Sequence, residues 1–398
     1  MGGSPAQTLS PTFPGVPPSN LALYALAALA YASFGTLFQV FPPFFDDLEH
    51  EFGIGRTLAG LSMTAFLAPV ALASFFLGAA VDRHGCARIG RAGFVVLLAG
   101  GGVTIAAPSL ALLLAGRALA GLGGGMVLLA TLKLLAAQVP GEQLGIAFGI
   151  FVAGLPIGTG IAFGGLNRLP SWRLSALVAT ALVAVAAAAF AALVPAGAAV
   201  RPPRSLRADL RELLAPPALR QLALLVVLGY TAIVAFTTWA PNRLVSYGGL
   251  TAGTAALIAS VLLVIDIPFA PLWGRASDRV GRRKPFIVAS FLIYAAGAFL
   301  VPAAVQGGAG LLLLVVSAMG IGCAMFFPAT LAIPQSLVPE SLLGASYGLF
   351  LTAQAIGMAL GPLALGLVFE HGSTPVGIFA IGGIAAAALA ASLRLQAR

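Results

Sequence analysis

Two ionisable side chains stand where a hydrocarbon environment makes them expensive. Asp266 is the one carboxylate deep inside an apolar stretch, and Arg117 lies well within another. Each is about eight residues from its nearer boundary, roughly 12 Å at ~1.5 Å per helical residue. A guanidinium at that depth costs at least about 2.5 kcal/mol unless it meets water or a partner, so Arg117 is expected to face a cavity. A carboxylate so placed suits proton carriage, because dry surroundings penalise its charged form and wet ones do not. Pro268 and Pro271 follow Asp266 and should break its helix, freeing carbonyls beside it. Whether Arg117 or Lys133 partners Asp266 stays open in the sequence. Lys133, near the inner end of its span, reads as a lysine snorkelling to the interface.

A second chemistry is written twice. Gly78-Ala-Ala-Val-Asp82-Arg83-His-Gly85 and Gly274-Arg-Ala-Ser-Asp278-Arg279-Val-Gly281 place an acid–base pair between glycines. The second copy continues with Arg282, Arg283 and Lys284, whereas the first has Cys86 and Ala87 and recovers only Arg88. Gly78 and Gly274 would let backbones approach closely, and Gly85 and Gly281 would permit tight turns.

The elements that must hold these groups are membrane helices. The chain is 60% apolar and 8% charged with a mean hydropathy of +1.02, which excludes a soluble domain. Facing lipid, only helices satisfy every backbone group internally, and no strand-like alternation favours a barrel. Twelve apolar spans are legible: six from about Leu21 to Val194 and six from about Leu219 to Leu393. Residues 1–20 read as a disordered leader, 21–194 and 219–398 as two six-helix bundles, and 195–218 as a linker. In that linker Arg204, Arg207 and Arg211 alternate with leucines as in a short helix lying on an anionic leaflet, or as topology-fixing charges in a flexible segment.

Charge fixes an orientation. The net charge of +9 comes from arginines concentrated after spans 2 and 8, in the linker and at the tail, while the first loop on the other side carries Asp46, Asp47, Glu49 and Glu51. Both termini are therefore expected in the cytoplasm. The halves also align with each other: Val139-Pro140 matches Val338-Pro339 at an offset of 199, and Asp82 matches Asp278 at 196. Duplicated halves of this kind mark transporters that rock about a central site.

Twelve spans, the doubled six-helix unit and two GxxxDRxG loops resemble the major facilitator superfamily over the chain after residue 20. The resemblance implies an all-α membrane protein, its twelve transmembrane helices forming two pseudo-symmetric six-helix bundles. It implies a gating motif of Gly78, Asp82, Arg83, Gly85 and Arg88 with Gly274, Asp278, Arg279, Gly281, Arg282 and Arg283. Asp82 and Arg83 would brace the cytoplasmic ends of helices 2 and 11 while the cavity faces outward, and Asp278 and Arg279 would brace helix 5. Arg117-Ala-Leu-Ala-Gly121 resembles a second family motif linked with proton coupling. Its counterpart is Val316, so Arg117 is assigned to coupling together with Asp266. Gly348-x8-Gly357-x3-Gly361-Pro362 on helix 11 falls one residue short of an antiporter glycine motif normally carried on helix 5; helix 5, with Gly154 and Gly158, lacks the proline. The family's nitrate-carrier arginines and glycine signatures do not occur.

Gln39, Arg117, Tyr230 and Gln335 are the expected substrate contacts, with Tyr31, Trp239 and Gln354 as further cavity candidates. No nucleotide-binding loop, metal cluster or catalytic triad is legible, and Cys86 and Cys323 suggest neither a disulfide nor a metal site. The expected protein is a monomeric multi-pass transporter of the plasma membrane, not an enzyme, with no cofactor and no nucleic-acid partner. It would move a small organic solute by alternating access, coupled to protons. Organic anion uptake is favoured by Arg117, with efflux of amphipathic compounds and a non-transporting nutrient sensor as alternatives.

Overall fold

The computed structural model describes residues 20–54, 56–195, 206–371 and 373–396. Most of the leader and the middle of the linker, including Arg204, lie outside them. Among the described residues, twelve helices are long and apolar enough to cross a membrane. They are α1 (Asn20–Gln39), α2 (Arg56–His84), α3 (Cys86–Ile105), α4 (Leu110–Gln138), α5 (Leu144–Gly164) and α6 (Trp172–Leu193) in the first half. The second half comprises α7 (Pro217–Gly248), α8 in two segments (Ala252–Val264 and Asp266–Val280), α9 (Lys284–Gln306), α10 (Ala309–Ala332), α11 (Leu343–His371) and α12 (Thr374–Leu393). Among the described residues there is no strand. A short helix, Leu206–Leu214, stands in the linker.

These segments are helical because lipid offers their backbones no other partner. Leu72 is 77% exposed and Leu314 67%, side chains that belong against acyl chains. Polar signals do the punctuation. Ser109, Ser171 and Thr251 cap α4, α6 and α8 by accepting from the amides of Leu112, Leu174 and Thr254. Gly85 at φ 86° and Gly281 at φ 67° make the turns after α2 and α8, a backbone region costly for any residue with a Cβ.

The two halves repeat at the level of single contacts. A Cβ on Gly121 would stand 1.8 Å from the Phe66 carbonyl oxygen, and one on Gly320 would stand 3.0 Å from that of Leu262. The glycines differ by 199 and their partners by 196, the two sequence offsets. The halves join at one end, the basic end that carries the two charged hairpins. There α5 and α11 lean on the opposite half: Gly145 and Gly149 meet Gly274 and Ala270, while Gly344 and Gly348 meet Gly78 and Ser74. Further along, the same helices lean on their own halves. Gly154 and Gly158 meet α1 at Tyr31, Ala32 and Thr36, and Gly357 and Gly361 meet α7 at Tyr230, Thr231 and Ala235. The apolar core follows suit, one cluster running from the first half into Tyr347 and Phe350 and a second confined to the other half around Phe236 and Met319. The basic end is closed.

Candidate functional site

Closure at the basic end is built on two carboxylates. Asp82, near the end of α2, accepts from the amides of Gly344 at 2.9 Å and Ala345 at 2.8 Å, the first turn of α11. Asp278, near the end of α8, accepts from Gly145 and Ile146, each at 2.9 Å, in the first turn of α5. First-turn amides have no partner within their own helix and carry the positive end of its dipole, so a carboxylate is what such an end binds best. Close approach comes from the glycines: a Cβ on Gly78 would stand 2.2 Å from the Gly344 carbonyl oxygen, and one on Gly274 would stand 2.0 Å from that of Gly145. Each latch is a glycine–glycine helix crossing with an acid one turn further along.

The cations differ between latches. Arg283 pairs with Asp278 at 2.6 Å and also donates to the Ser277 hydroxyl at 2.6 Å and the Gly141 carbonyl at 3.3 Å. Asp82 is paired with Lys133 of α4, and both side chains are 8% exposed. Lys133 therefore does not snorkel away from the core; it turns inward because a buried carboxylate lies beside it. Arg279, expected beside Asp278 in the second latch, is exposed, as are Arg88 and Arg282, and Arg83 is half-buried. Arg279 lines a cleft of about 690 Å³ on the basic end with Tyr24, Glu142, Gln143 and Arg275.

Arg117, expected to face a cavity, is 1% exposed and directed into backbone carbonyls of α1 and α2. Its Nη1 and Nη2 donate to the carbonyls of Leu37 at 2.6 Å and Phe38 at 2.8 Å, and its Nε to that of Ser62 at 3.1 Å. The rings of Phe41 and Phe66 cover it, at 4.7 and 4.4 Å from the guanidinium carbon. Helix α1 ends at Gln39, so the Leu37 and Phe38 carbonyls are among its orphaned acceptors, and a cation there also meets the negative end of the dipole. Gly121, one turn on, brings α4 against α2 closely enough for Arg117 to reach across. The spacing of arginine and glycine thus ties α1, α2 and α4 together.

Asp266 opens the second segment of α8, directly after Ile265. Pro268 has no N–H for the Val264 carbonyl and Pro271 none for that of Ile267, so two ladder bonds are missing, yet Ile265 keeps helical angles and bonds to Val261 and Phe269; the prolines loosen the helix without breaking it. Asp266 Oδ1 is out of solvent and has no hydrogen-bond partner. Neither Arg117 nor Lys133 pairs with it, since both are committed elsewhere. Tyr230 of α7 and Cys323 of α10 lie within electrostatic reach of it, and the Tyr230 ring sits 4.3 Å from Phe327. Tyr31 of α1 is near Tyr230 and within hydrogen-bonding reach of Gln354 of α11, and it stacks on Phe151 at 4.6 Å. Tyr230, Tyr31, Gln354 and Phe151 form a polar and aromatic layer drawn from both halves, and the carboxylate reaches it through Tyr230. By the halves' offset the counterpart of Asp266 is Val70, so its charge belongs to one half alone.

A twelve-helix duplicated bundle latched in this way matches a known family. The model of the Major Facilitator Superfamily covers residues 27–251 and 244–398. The chain belongs to that superfamily. No curated protein matches the sequence. Among solved structures of superfamily transporters, the human organic anion transporter MFSD10 (TETRAN) aligns with a TM-score of 0.74 at 15% identity, over 94% of this chain and 100% of that one. The proton:xylose symporter XylE, bound to 6-bromo-6-deoxy-D-glucose, gives 0.73 at 15% identity over 95% and 96%. FucP in the outward conformation gives 0.76 at 16% identity over 94% and 98%. The protein is a multi-pass membrane protein with a transporter's fold.

The remaining sequence candidates scatter. Tyr230 joins the layer around Asp266. Gln39 is the half-exposed last residue of α1, at the end remote from the latches. Gln335 sits beyond α10 in the short helix Pro334–Leu337, where its Nε2 donates to the Ala136 carbonyl at 2.8 Å. It bridges the halves at the basic end and stands outside the central layer. Two residues were missed. Nothing local marks Lys133 as a latch residue, since its partner is far off in sequence, and Cys323 gains significance only through the neighbours that packing gives it.

Proposed function

We propose that this protein is a proton-coupled secondary transporter of the plasma membrane that works by alternating access, with both termini in the cytoplasm. The basic loops then lie inside, the latched end is the closed cytoplasmic gate, and the structure is the outward-facing arrangement. The observation that carries the coupling is Asp266: a carboxylate oxygen out of solvent, without a hydrogen-bond partner, within electrostatic reach of Tyr230 and Cys323. The case for an organic anion rested on Arg117 facing the pathway. With Arg117 spent on backbone carbonyls, the charge left in the central layer is negative. A neutral or cationic amphipathic solute exchanged for protons fits it best, because proton and cation compete for one carboxylate and aromatic faces such as Tyr230 and Phe327 attract both apolar and cationic groups.

The test uses proteoliposomes holding a pH-sensitive dye under an imposed pH gradient. Addition of an amphipathic amine from a test panel should release protons from the wild type, and Asp266→Asn should abolish that release while leaving the folded protein intact. Saturable binding of a solute without counterflow or proton movement would make the protein a sensor and overturn the proposal.

A further inference from the structure

We propose that Lys133 is the positioning cation of the first latch, supplied from α4 in place of a basic residue that the first hairpin lacks. The inference rests on the reading of the latches as a moving gate. In the second half, the cation for Asp278 is Arg283, five residues on in the hairpin. Five residues after Asp82 stands Ala87, and the position in the second half that corresponds to Lys133 is Ala332. Lys133 pairs with Asp82 and Arg283 with Asp278, and each of these two cations stands where the other half has alanine. The two latches use the same carboxylate and the same helix-end geometry, yet draw their positive charge from different elements.

What the lysine does follows from what moves. Asp82 and Lys133 both belong to the first half, so their pair persists when the halves part; the amides of Gly344 and Ala345 belong to the second half and are lost. In the closed arrangement the carboxylate is withdrawn from water, and an ion buried without a counter-charge costs more than two amide bonds return. In the open arrangement water hydrates it. Lys133 therefore stabilises the closed gate specifically, and its removal should favour opening while leaving each half folded.

The experiment measures distances across the basic end in the full chain, with Cys86→Ser and Cys323→Ala as background and spin labels on Glu142→Cys and Ser336→Cys, exposed positions in opposite halves. Lys133→Met should raise the ratio of open to closed populations on the order of tenfold. Ala87→Arg added to Lys133→Met should restore the parent distribution, because the new arginine occupies the place that Arg283 holds in the second latch. Asp82→Asn added to Lys133→Met should open the gate less than Lys133→Met alone, since no buried charge is left to compensate. An unchanged distribution in Lys133→Met, or opening that neither second substitution reduces, overturns the proposal and leaves the transporter reading standing. A parent chain that holds one distance across both ends at every pH and solute tested sinks the gate reading and this inference with it.

Discussion

Arg117 and Asp266 enter the sequence as equals, two costly charges in apolar spans, and the fold gives them opposite fates. All three nitrogens of Arg117 donate to backbone carbonyls, those of Leu37, Phe38 and Ser62, so it acts as a cap that ties α1 to α4 and α2. Arg117→Ala should leave these acceptors without their donor at about 1–3 kcal/mol each, and so lower the melting temperature in detergent by roughly 5 °C or more. Arg117→Lys should fall in between, since a point charge cannot replace the fork. A variant that loses proton coupling at unchanged melting temperature would show instead that the arginine works on the transported ion. Asp266 has no such commitments, and that is why the coupling test is directed at it.

At the scale of helices, closure of the basic end is a matter of how closely two backbones can cross. Gly78 over Gly344 and Gly274 over Gly145 leave no room for a Cβ, and the carboxylates reach the helix ends only because of that. Gly78→Ala should force α2 and α11 apart and raise the alkylation rate of Cys86, half-buried beside the first latch, several-fold. Gly274→Ala lies in the other crossing and touches nothing near Cys86. If the halves move as units it should speed the same reaction to a similar degree; an effect confined to Gly78→Ala would mean that each crossing opens by itself. Pro268 and Pro271 set the other helix-scale feature, two missing ladder bonds that free the Val264 and Ile267 carbonyls on either side of Asp266.

Taken whole, the molecule is two copies of one unit fastened at one end. Glycines near the starts of α5 and α11 grip the opposite half, and those further along grip their own, so the proposed pivot of the two bundles requires no unpacking within either. A covalent bridge across the fastened end should therefore stop transport while sparing solute binding from the far side. Gly141→Cys with Gln335→Cys suits the purpose, because a Cβ at position 141 would lie 3.6 Å from the Gln335 Oε1. A short bifunctional thiol reagent should block counterflow in the double variant and in neither single one. Undiminished counterflow in the bridged protein would exclude rocking about this end.

The amino-acid sequence alone determined the helical membrane class, the twelve spans, the duplication and the placing of the latch motifs. All of these follow from local hydropathy and repeated local patterns that neighbours in the chain enforce. The missing ladder bonds around Asp266 were legible for the same reason, since a proline acts on the turn that contains it. Tertiary structure decided which charges are spent and which are left available. Lys133 meets Asp82, Arg117 meets the end of α1, and Gln335 meets Ala136 through contacts between residues distant in the chain, and no window of sequence encodes such a pairing. A buried charge takes its role from the nearest group able to satisfy it, and folding, by packing α4 against α1 and α2, supplied those groups to Arg117 and Lys133 and withheld them from Asp266.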